Sequence, residues 1–167
     1  MALTLLRHTT PDVTKGTCYG MTDLSLADSF EAEVAAVLQN LPKPRAIICS
    51  PLTRCRHLAE RIGSEMSLEV SVSSHWREMD FGSWEGTLWS DLPRADLDAW
   101  AEDFHHYRDH GGESVAQLYG RVQQGIAAAP EGALIITHMG CIKAALVASG
   151  APRGWDAQVP FGGSIRL

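Results

Sequence analysis

Apolar residues along the chain fall into short strand-like runs separated by stretches of helical period. Leu3 to Leu6, Ala46 to Cys49 and Ala133 to Thr137 are compact, largely apolar runs of the length of buried strands. Leu68 to Val72 alternates polar and apolar residues, as a third, half-buried strand does, and Ser164 to Leu167 predicts a short strand at a sheet edge. Helical spacing recurs between these runs. Asp28 to Asn40 places Phe30, Val34, Val37 and Leu38 on one stripe, and Pro42-Lys43-Pro44 stops it. A second helix is predicted from Ser50-Pro51, as N-cap and first helical residue, to about Ile62 and Gly63. Gly112-Glu113-Ser114 opens a third, carrying Val115, Leu118, Tyr119, Val122 and Ile126, and Ile142 to Ala148 forms a fourth. Strands that alternate with helices predict an α/β fold, here a three-layer α/β/α sandwich around a mostly parallel sheet. No change of composition divides the chain, so residues 1–167 are expected to form one domain.

In such a sheet, ligands gather beyond the carboxyl ends of the strands. The first run ends in Arg7-His8-Thr9-Thr10, the run at 46–49 in Ser50-Pro51-Leu52-Thr53-Arg54, and the run at 133–137 in His138-Met139-Gly140. Imidazole is a nucleophile or proton carrier near neutral pH, and guanidinium is a permanent charge with a planar fork for phosphate or carboxylate. One strand-end histidine is as often a buried or capping residue as a functional one. Three strand ends that deliver imidazole and guanidinium together are hard to explain by packing. They describe a phosphate site, with Arg54 in a first helical turn where side chain and helix N-terminus both address an anion.

Composition narrows the partners. A chain of 167 residues with 45% apolar and 20% charged residues builds a globular core. Its net charge of −6 provides no global basic field for nucleic acid or an anionic membrane, so an anion must be held by a local cluster. Met1 to Leu6 lacks a basic, long-apolar leader and no window is long enough to span a bilayer, which points to a cytoplasmic protein. The four cysteines show neither C-x-x-C nor zinc-like spacing; they are expected to be reduced structural thiols, Cys18 being the one that can be exposed in its loop. His105, His106 and His110 beside Asp103 and Asp109 look metal-like, but their setting before Gly111-Gly112 predicts a solvated helix end and loop. No metal and no cofactor is expected. Residues 76–110 gather Trp76, Phe81, Trp84, Trp89, Trp100 and Phe104 with Glu78, Asp80, Glu85 and Asp91. That segment is a satellite core, a lid carrying an acid, or both.

Taken in order, Leu6-Arg7-His8-Thr9, Ser50-Pro51-Leu52-Thr53-Arg54, Glu78 with Phe81-Gly82-x-Trp84-Glu85-Gly86, Gly112-Glu113-Ser114 and Thr137-His138-Met139-Gly140 resemble the motifs of the histidine phosphatase superfamily, the phosphoglycerate-mutase-like proteins. The resemblance spans residues 3–145. Arg7-His8-Thr9-x-Pro11, Cys18-Tyr19-Gly20-x-Thr22-Asp23 and Trp84-Glu85-Gly86-x-x-Trp89 are most similar to bacterial α-ribazole phosphatases of cobalamin nucleotide-loop assembly.

The resemblance implies a phosphoric monoester hydrolase working through a phosphohistidine on His8, with small phosphate esters and inorganic phosphate as its ligands. Arg7, Arg54 and His138 are then the donors that stabilise the phosphoryl oxygens, and Glu78 is the general acid, with Glu85 as a competing carboxylate. Thr14, Tyr19, Thr22 and Met139 are the further expected substrate or phosphate contacts. His138 is expected to need an acidic neighbour or solvent to keep a proton among arginines. Three residues depart from the pattern: Thr9 stands where glycine is usual, Thr14 where asparagine is common, and Phe30 where relatives often carry glycine. A β-branched Thr9 resists positive φ, so its loop either differs or never needed glycine. Three alternatives remain open: a mutase, which needs a longer water-excluding lid; a phosphohistidine-protein phosphatase, whose minimal relatives lack the aromatic segment; and a catalytically silent phospho-ligand module, which would be expected to lose His8, Glu78 or an arginine.

Overall fold

The computed structural model describes residues 2–167. Five strands form one sheet: β1 (Thr4–Arg7), β2 (Ala46–Cys49), β3 (Val70–Val72), β4 (Ala133–Thr137) and β5 (Ser164–Arg166), in the order β3-β2-β4-β1-β5. The first four are mutually parallel and β5 runs antiparallel along the β1 edge. Register pairs Arg7 with Thr137 and Cys49 with Ile136, so β1, β4 and β2 end side by side.

Both faces of this sheet are covered, which is why β4 is buried along its whole length and apolar without alternation. Leu5, Ile135 and Trp76 face α4 (Val115–Ala128) and α5 (Met139–Ala148). Leu6, Leu134 and Ile136 face α1 (Phe30–Asn40) and α2 (Thr53–Met66). Each such side chain taken fully from water stabilises the fold by about 1.5–3 kcal/mol. The three-layer arrangement and the terminal edge strand follow the apolar pattern closely.

Helix boundaries depart from expectation for physical reasons. Ser50-Pro51 does not begin α2. The chain bends at Pro51 and Leu52, with Leu52 itself in extended geometry, and the helix starts at Thr53, whose N–H and hydroxyl both donate to the Asp23 carboxylate at 2.8 Å. A loop distant in sequence thus supplies the cap that Ser50 does not. At the other end, Gly63 is not a terminator: the helix continues to Met66, and the missing Cβ lets Val70 and the Leu68 carbonyl approach closely. Ser114 caps α4 with a reciprocal box, its hydroxyl accepting from the Gln117 N–H and Gln117 Oε1 accepting from the Ser114 N–H. The last long helix begins earlier than predicted, at Met139, directly after β4.

The aromatic stretch splits between two cores. Trp76 belongs to the main core under α4, where Gly125 allows its indole close approach. Trp84, Leu92 and Tyr107 form a satellite core with Cys18, flanked by Phe81, Trp89 and Trp100 and by α3 (Arg94–Glu102). Cys18 is therefore buried, not exposed, and burial pushes its thiol up to about 12. His110 is likewise not solvated: its ring lies 4.9 Å from Trp84, and its Nδ1 accepts from the Gly112 N–H. His105 and His106 are exposed as expected. Among the described residues no group of three or more His, Cys, Asp or Glu is arranged to hold a metal ion, and no helix is long and apolar enough to cross a membrane.

Candidate active site

At the ends of β1 and β4 the two strand-end histidines meet, with ring centroids 5.1 Å apart. Both are buried, His8 at 2% exposure and His138 at 0%. The His8 Nδ1 lies 2.7 Å from the Thr9 carbonyl oxygen. A carbonyl only accepts, so Nδ1 carries the proton and the lone pair is left on Nε2. Burial, then the charges of Arg54 and Arg7, depress the His8 imidazole to about 3 against the Thr9 bond that favours its charged form. It is a neutral base at physiological pH. Thr9 does not take positive φ; among the described residues the only non-glycine that does is Ser67, so the threonine is compatible with this loop.

His138 corrects one expectation. No carboxylate supports it: its Nε2 is 2.7 Å from the Ser50 hydroxyl and 3.4 Å from the Cys55 thiol. Burial first, then interaction with the His8 imidazole and the charges of Arg54, Arg121 and Arg7, hold its pKa well below the ordinary value. The free protein therefore keeps His138 neutral, and only an arriving anion can favour its protonation.

A pH dependence of stability follows. On unfolding below about pH 6.5, both imidazoles take up protons that the native state refuses. The stability that comes from keeping them neutral is present above that pH and is lost as pH falls toward about 3, the folded value for His8. The slope is roughly 1.4 kcal/mol per pH unit for each imidazole. Glu78, whose folded pKa is raised by burial, takes up its proton earlier in the native state than in the unfolded one, and offsets part of that loss as pH falls through its folded value toward its unfolded one. Thermal unfolding between about pH 8 and 5 is expected to show Tm falling with acidity, and His138→Asn should flatten that fall.

The two arginines are placed differently. Arg7 lines the cavity described below; its Nη1 donates to the Val159 carbonyl at 2.7 Å, while its buried Nε has no partner. Arg54 is wholly buried behind Tyr19, with its guanidinium carbon 5.2 Å from that ring. Its two terminal nitrogens donate to the Thr22 and Gly20 carbonyls at 2.7 and 2.6 Å, and its Nε has no partner. It presents charge to the site, and its fork is occupied in pinning the 20–22 loop.

Glu78 is 8% exposed and its carboxylate accepts two backbone bonds, from Met79 N–H at 2.9 Å and from Gly140 N–H at 3.0 Å. Burial raises its pKa, partly offset by those two bonds and by Arg54 and Arg121. Gly140, second residue of α5, is required here by close approach: a Cβ built on it collides with the Glu78 carboxylate. Gly140→Ala is expected to displace that carboxylate and, on the sequence expectation that Glu78 is the general acid of a phosphoric monoester hydrolase, to lower kcat on alkyl phosphates by about 100-fold. Helix propensity favours alanine by roughly 0.5–1 kcal/mol, so Tm should not fall in step. Assays of kcat and Tm on the same preparation check the separation. Glu85, the competing carboxylate, is instead structural: it accepts from the Gly20 and Met21 N–H groups at 2.7 Å and from the Thr22 hydroxyl.

His8, Arg7 and Glu78 open onto a cavity of about 420 Å³; His138 and Arg54, both fully buried, lie behind its lining and not in it. Arg7, His8, Thr17, Tyr19 and Glu78 form its polar end. Phe81, Trp89, Trp100, Phe104 and Trp155 form an aromatic wall, Met139 and Leu118 add aliphatic surface, and Lys143 is a lone cation among them. Trp89 and Trp100 are stacked at 13°. Of the other expected contacts, Tyr19 and Met139 line the cavity; Thr14 and Thr22 do not. Thr14 is exposed, with its carbonyl accepting from Thr17, which takes the place expected for it. Thr22 contributes its carbonyl to Arg54.

Several contributors were invisible as motifs. Phe161 packs 4.0 Å from the Arg7 guanidinium carbon and 5.5 Å from the His8 ring. Gly162 N–H bonds the Arg7 and His8 carbonyls, and Gly163 accepts from Arg7 N–H, so the segment before β5 straps the β1 end. Ser50, expected as a helix cap, serves as a partner of His138. Nothing local marks these roles.

Paired imidazoles at parallel strand ends, an arginine beside them and a buried, hydrogen-bonded carboxyl are the equipment of proteins that handle phosphoryl groups on a three-layer α/β frame. Comparison with known proteins agrees: the chain belongs to the Histidine phosphatase superfamily (branch 1), which matches residues 3–156. It is 30% identical over 127 residues to phosphoserine phosphatase 1 of Hydrogenobacter thermophilus, covering 72% of this chain and 60% of that protein's length. It is also 30% identical over 161 residues to glucosyl-3-phosphoglycerate phosphatase of Mycolicibacterium vanbaalenii, covering 85% and 71% respectively. Among solved structures, a phosphoglycerate mutase from Thermus thermophilus superposes with TM-score 0.83 at 29% identity, covering all of this chain and 92% of that one. A mycobacterial glucosyl-3-phosphoglycerate phosphatase superposes with TM-score 0.82 at 26% identity, covering 99% and 89%.

Proposed function

We propose that the protein is a phosphomonoesterase that hydrolyses a small phosphate ester through a phosphohistidine on His8. The observation that carries this is the neutral His8 with its lone pair on Nε2, in a cavity that also holds Arg7 and Glu78. In the first step Nε2 attacks phosphorus, the bond from phosphorus to the leaving oxygen breaks, and Glu78 passes its proton to that oxygen. In the second, Glu78 takes a proton from water as the water oxygen attacks phosphorus. The P–N bond breaks and inorganic phosphate leaves. Arg7 and a His138 protonated in the presence of the phosphoryl group donate to the equatorial oxygens, and Arg54 adds its positive charge from behind Tyr19.

For the leaving group, the aromatic wall favours a flat ring, and α-ribazole 5′-phosphate combines such a ring with a primary phosphate ester. A second reading is favoured by Lys143, which has no carboxylate within ion-pair distance among the described residues: a leaving group bearing a carboxylate, as in phosphoserine or 3-phosphoglycerate. Turnover of 4-nitrophenyl phosphate in the presence of a chelator tests the activity. The ratio of kcat/KM for α-ribazole 5′-phosphate to that for phosphoserine and 3-phosphoglycerate tests the substrate, and a ratio below one discards the ribazole assignment.

A further inference from the structure

The carboxyl proposed as proton donor sits on a segment with no regular structure of its own. Glu78 follows a single 3-10 turn, Ser74–Trp76, and precedes an irregular stretch to Phe81. A short exposed loop would leave such a carboxyl free to wander. Here the segment is gripped from α4. Arg121, in the second turn of that helix, sends Nη1 to three carbonyls of the segment: Ser74 at 3.3 Å, His75 at 3.0 Å and Arg77 at 2.7 Å. Its Nε and Nη2 donate to the two oxygens of Glu113 at 3.0 and 2.8 Å. Glu113 in turn holds the far side of Glu78. Its N–H donates to the Asp80 carbonyl at 2.8 Å, and its Oε2 accepts from the Asp80 N–H.

Held at residue 77 on one side and residue 80 on the other, Glu78 has little backbone freedom. The pair Arg121–Glu113 is mostly buried, at 15% and 13% side-chain exposure, unlike the other four ion pairs among the described residues, all of which lie at the surface. A planar fork that satisfies a carboxylate and a row of carbonyls together is a task for arginine, not lysine. Neither residue lines the cavity.

We propose that Arg121, braced by Glu113, is a positioning residue that aims the Glu78 carboxyl at the leaving oxygen by fixing the backbone on both sides of it. This rests on the reading of Glu78 as proton donor. A residue that only stabilises the fold would affect all substrates alike when replaced. A residue that aims a proton donor matters in proportion to how badly the leaving oxygen needs the proton. Arg121 also contributes charge. The ionisable groups facing Glu78 are Arg7 from β1, Tyr19 from its loop, Arg54 from α2, Cys141 from α5 and Arg121 from α4, with His8 and Lys143 along the same cavity. Removing Arg121 takes away one of the cations that hold the carboxyl's pKa down.

The test compares an alkyl phosphate, glycerol phosphate, with 4-nitrophenyl phosphate, whose leaving group needs no proton. Arg121→Gln is expected to lower kcat/KM on the alkyl ester by about 10-fold to 100-fold and on the aryl ester by less than about 3-fold. The basic limb of its pH profile should move upward. Arg121→Lys, which keeps the charge and loses the fork, should restore the limb while the ester-selective loss persists in part. If Arg121→Gln does not fold, Glu113→Gln keeps the arginine and frees its brace, and the same ester-selective loss is expected. Equal losses on both esters, or an unmoved limb in Arg121→Gln, overturn the proposal. Glu78→Gln is run alongside as the reference. If that variant loses both esters equally, the proton-donor reading falls and takes this one with it. If it is ester-selective and the Arg121 and Glu113 variants are not, positioning alone is refuted.

Discussion

His8→Ala is expected to eliminate the phosphoenzyme and to lower kcat/KM by at least about 10⁴-fold. The size of the effect follows from what the covalent route demands. A nucleophile that is neutral at working pH, with its lone pair fixed on one nitrogen, needs no proton removed before it attacks. His8 meets both conditions through burial and through its Nδ1 bond to the Thr9 carbonyl. Alanine leaves only water, with no group placed to activate it at the attacking position. Rapid acid-free quench with a radiolabelled phosphate ester should trap label on the wild-type protein and release it in acid. None should appear on His8→Ala. Label that persists would mean attack from His138, the other imidazole, and the roles of the two would have to be exchanged.

Glu78→Gln carries the second largest expected effect, about 10² to 10⁴-fold on alkyl phosphates, with a much smaller loss on aryl esters of acidic phenols. Glutamine preserves shape but has a single acceptor oxygen, so it keeps only one of the bonds from the Met79 and Gly140 N–H groups, which reach different carboxylate oxygens, and it has no acidic proton to give. The carboxyl's suitability comes from burial: desolvation raises its pKa against two backbone bonds that would lower it. A plot of log kcat/KM against leaving-group pKa should be shallow for the wild type and steep for the variant. Parallel lines would reduce Glu78 to a structural carboxylate that anchors the start of α5.

Both predictions depend on geometry that was legible in the chain to different degrees. The strand-end histidines stood out because a buried parallel strand is a local apolar run, and where such a run stops the chain emerges at the carboxyl edge. His8 and His138 could therefore be paired from sequence, and they do pair. Glu78 was not legible on its own; a glutamate among aromatics is equally a surface residue, and only the resemblance singled it out. Thr14 illustrates a near miss, since a loop without periodicity gives no register and Thr17, three residues on, is the one that reaches the cavity. Arg54 was located correctly at the first turn of α2. That its terminal nitrogens would be engaged by the Gly20 and Thr22 carbonyls depended on a loop folding back from 32 and 34 residues away.

The sequence alone determined the strands, the helices that cover the two sheet faces and the edge strand near residue 167, but not α3 inside the aromatic segment. Those rest on period-2 and period-3.6 burial, which is written in neighbouring residues. Tertiary structure alone decided that α2 is capped by Asp23, that Cys18 and His110 are buried, that His138 has no carboxylate, and that Phe161 straps Arg7 and His8. It also decided that Arg121 reaches across to hold the segment bearing Glu78. Each of those depends on which polar group lies within about 3 Å of which other. Chain separation does not encode that distance, and only the packed sheet and helices bring such groups together.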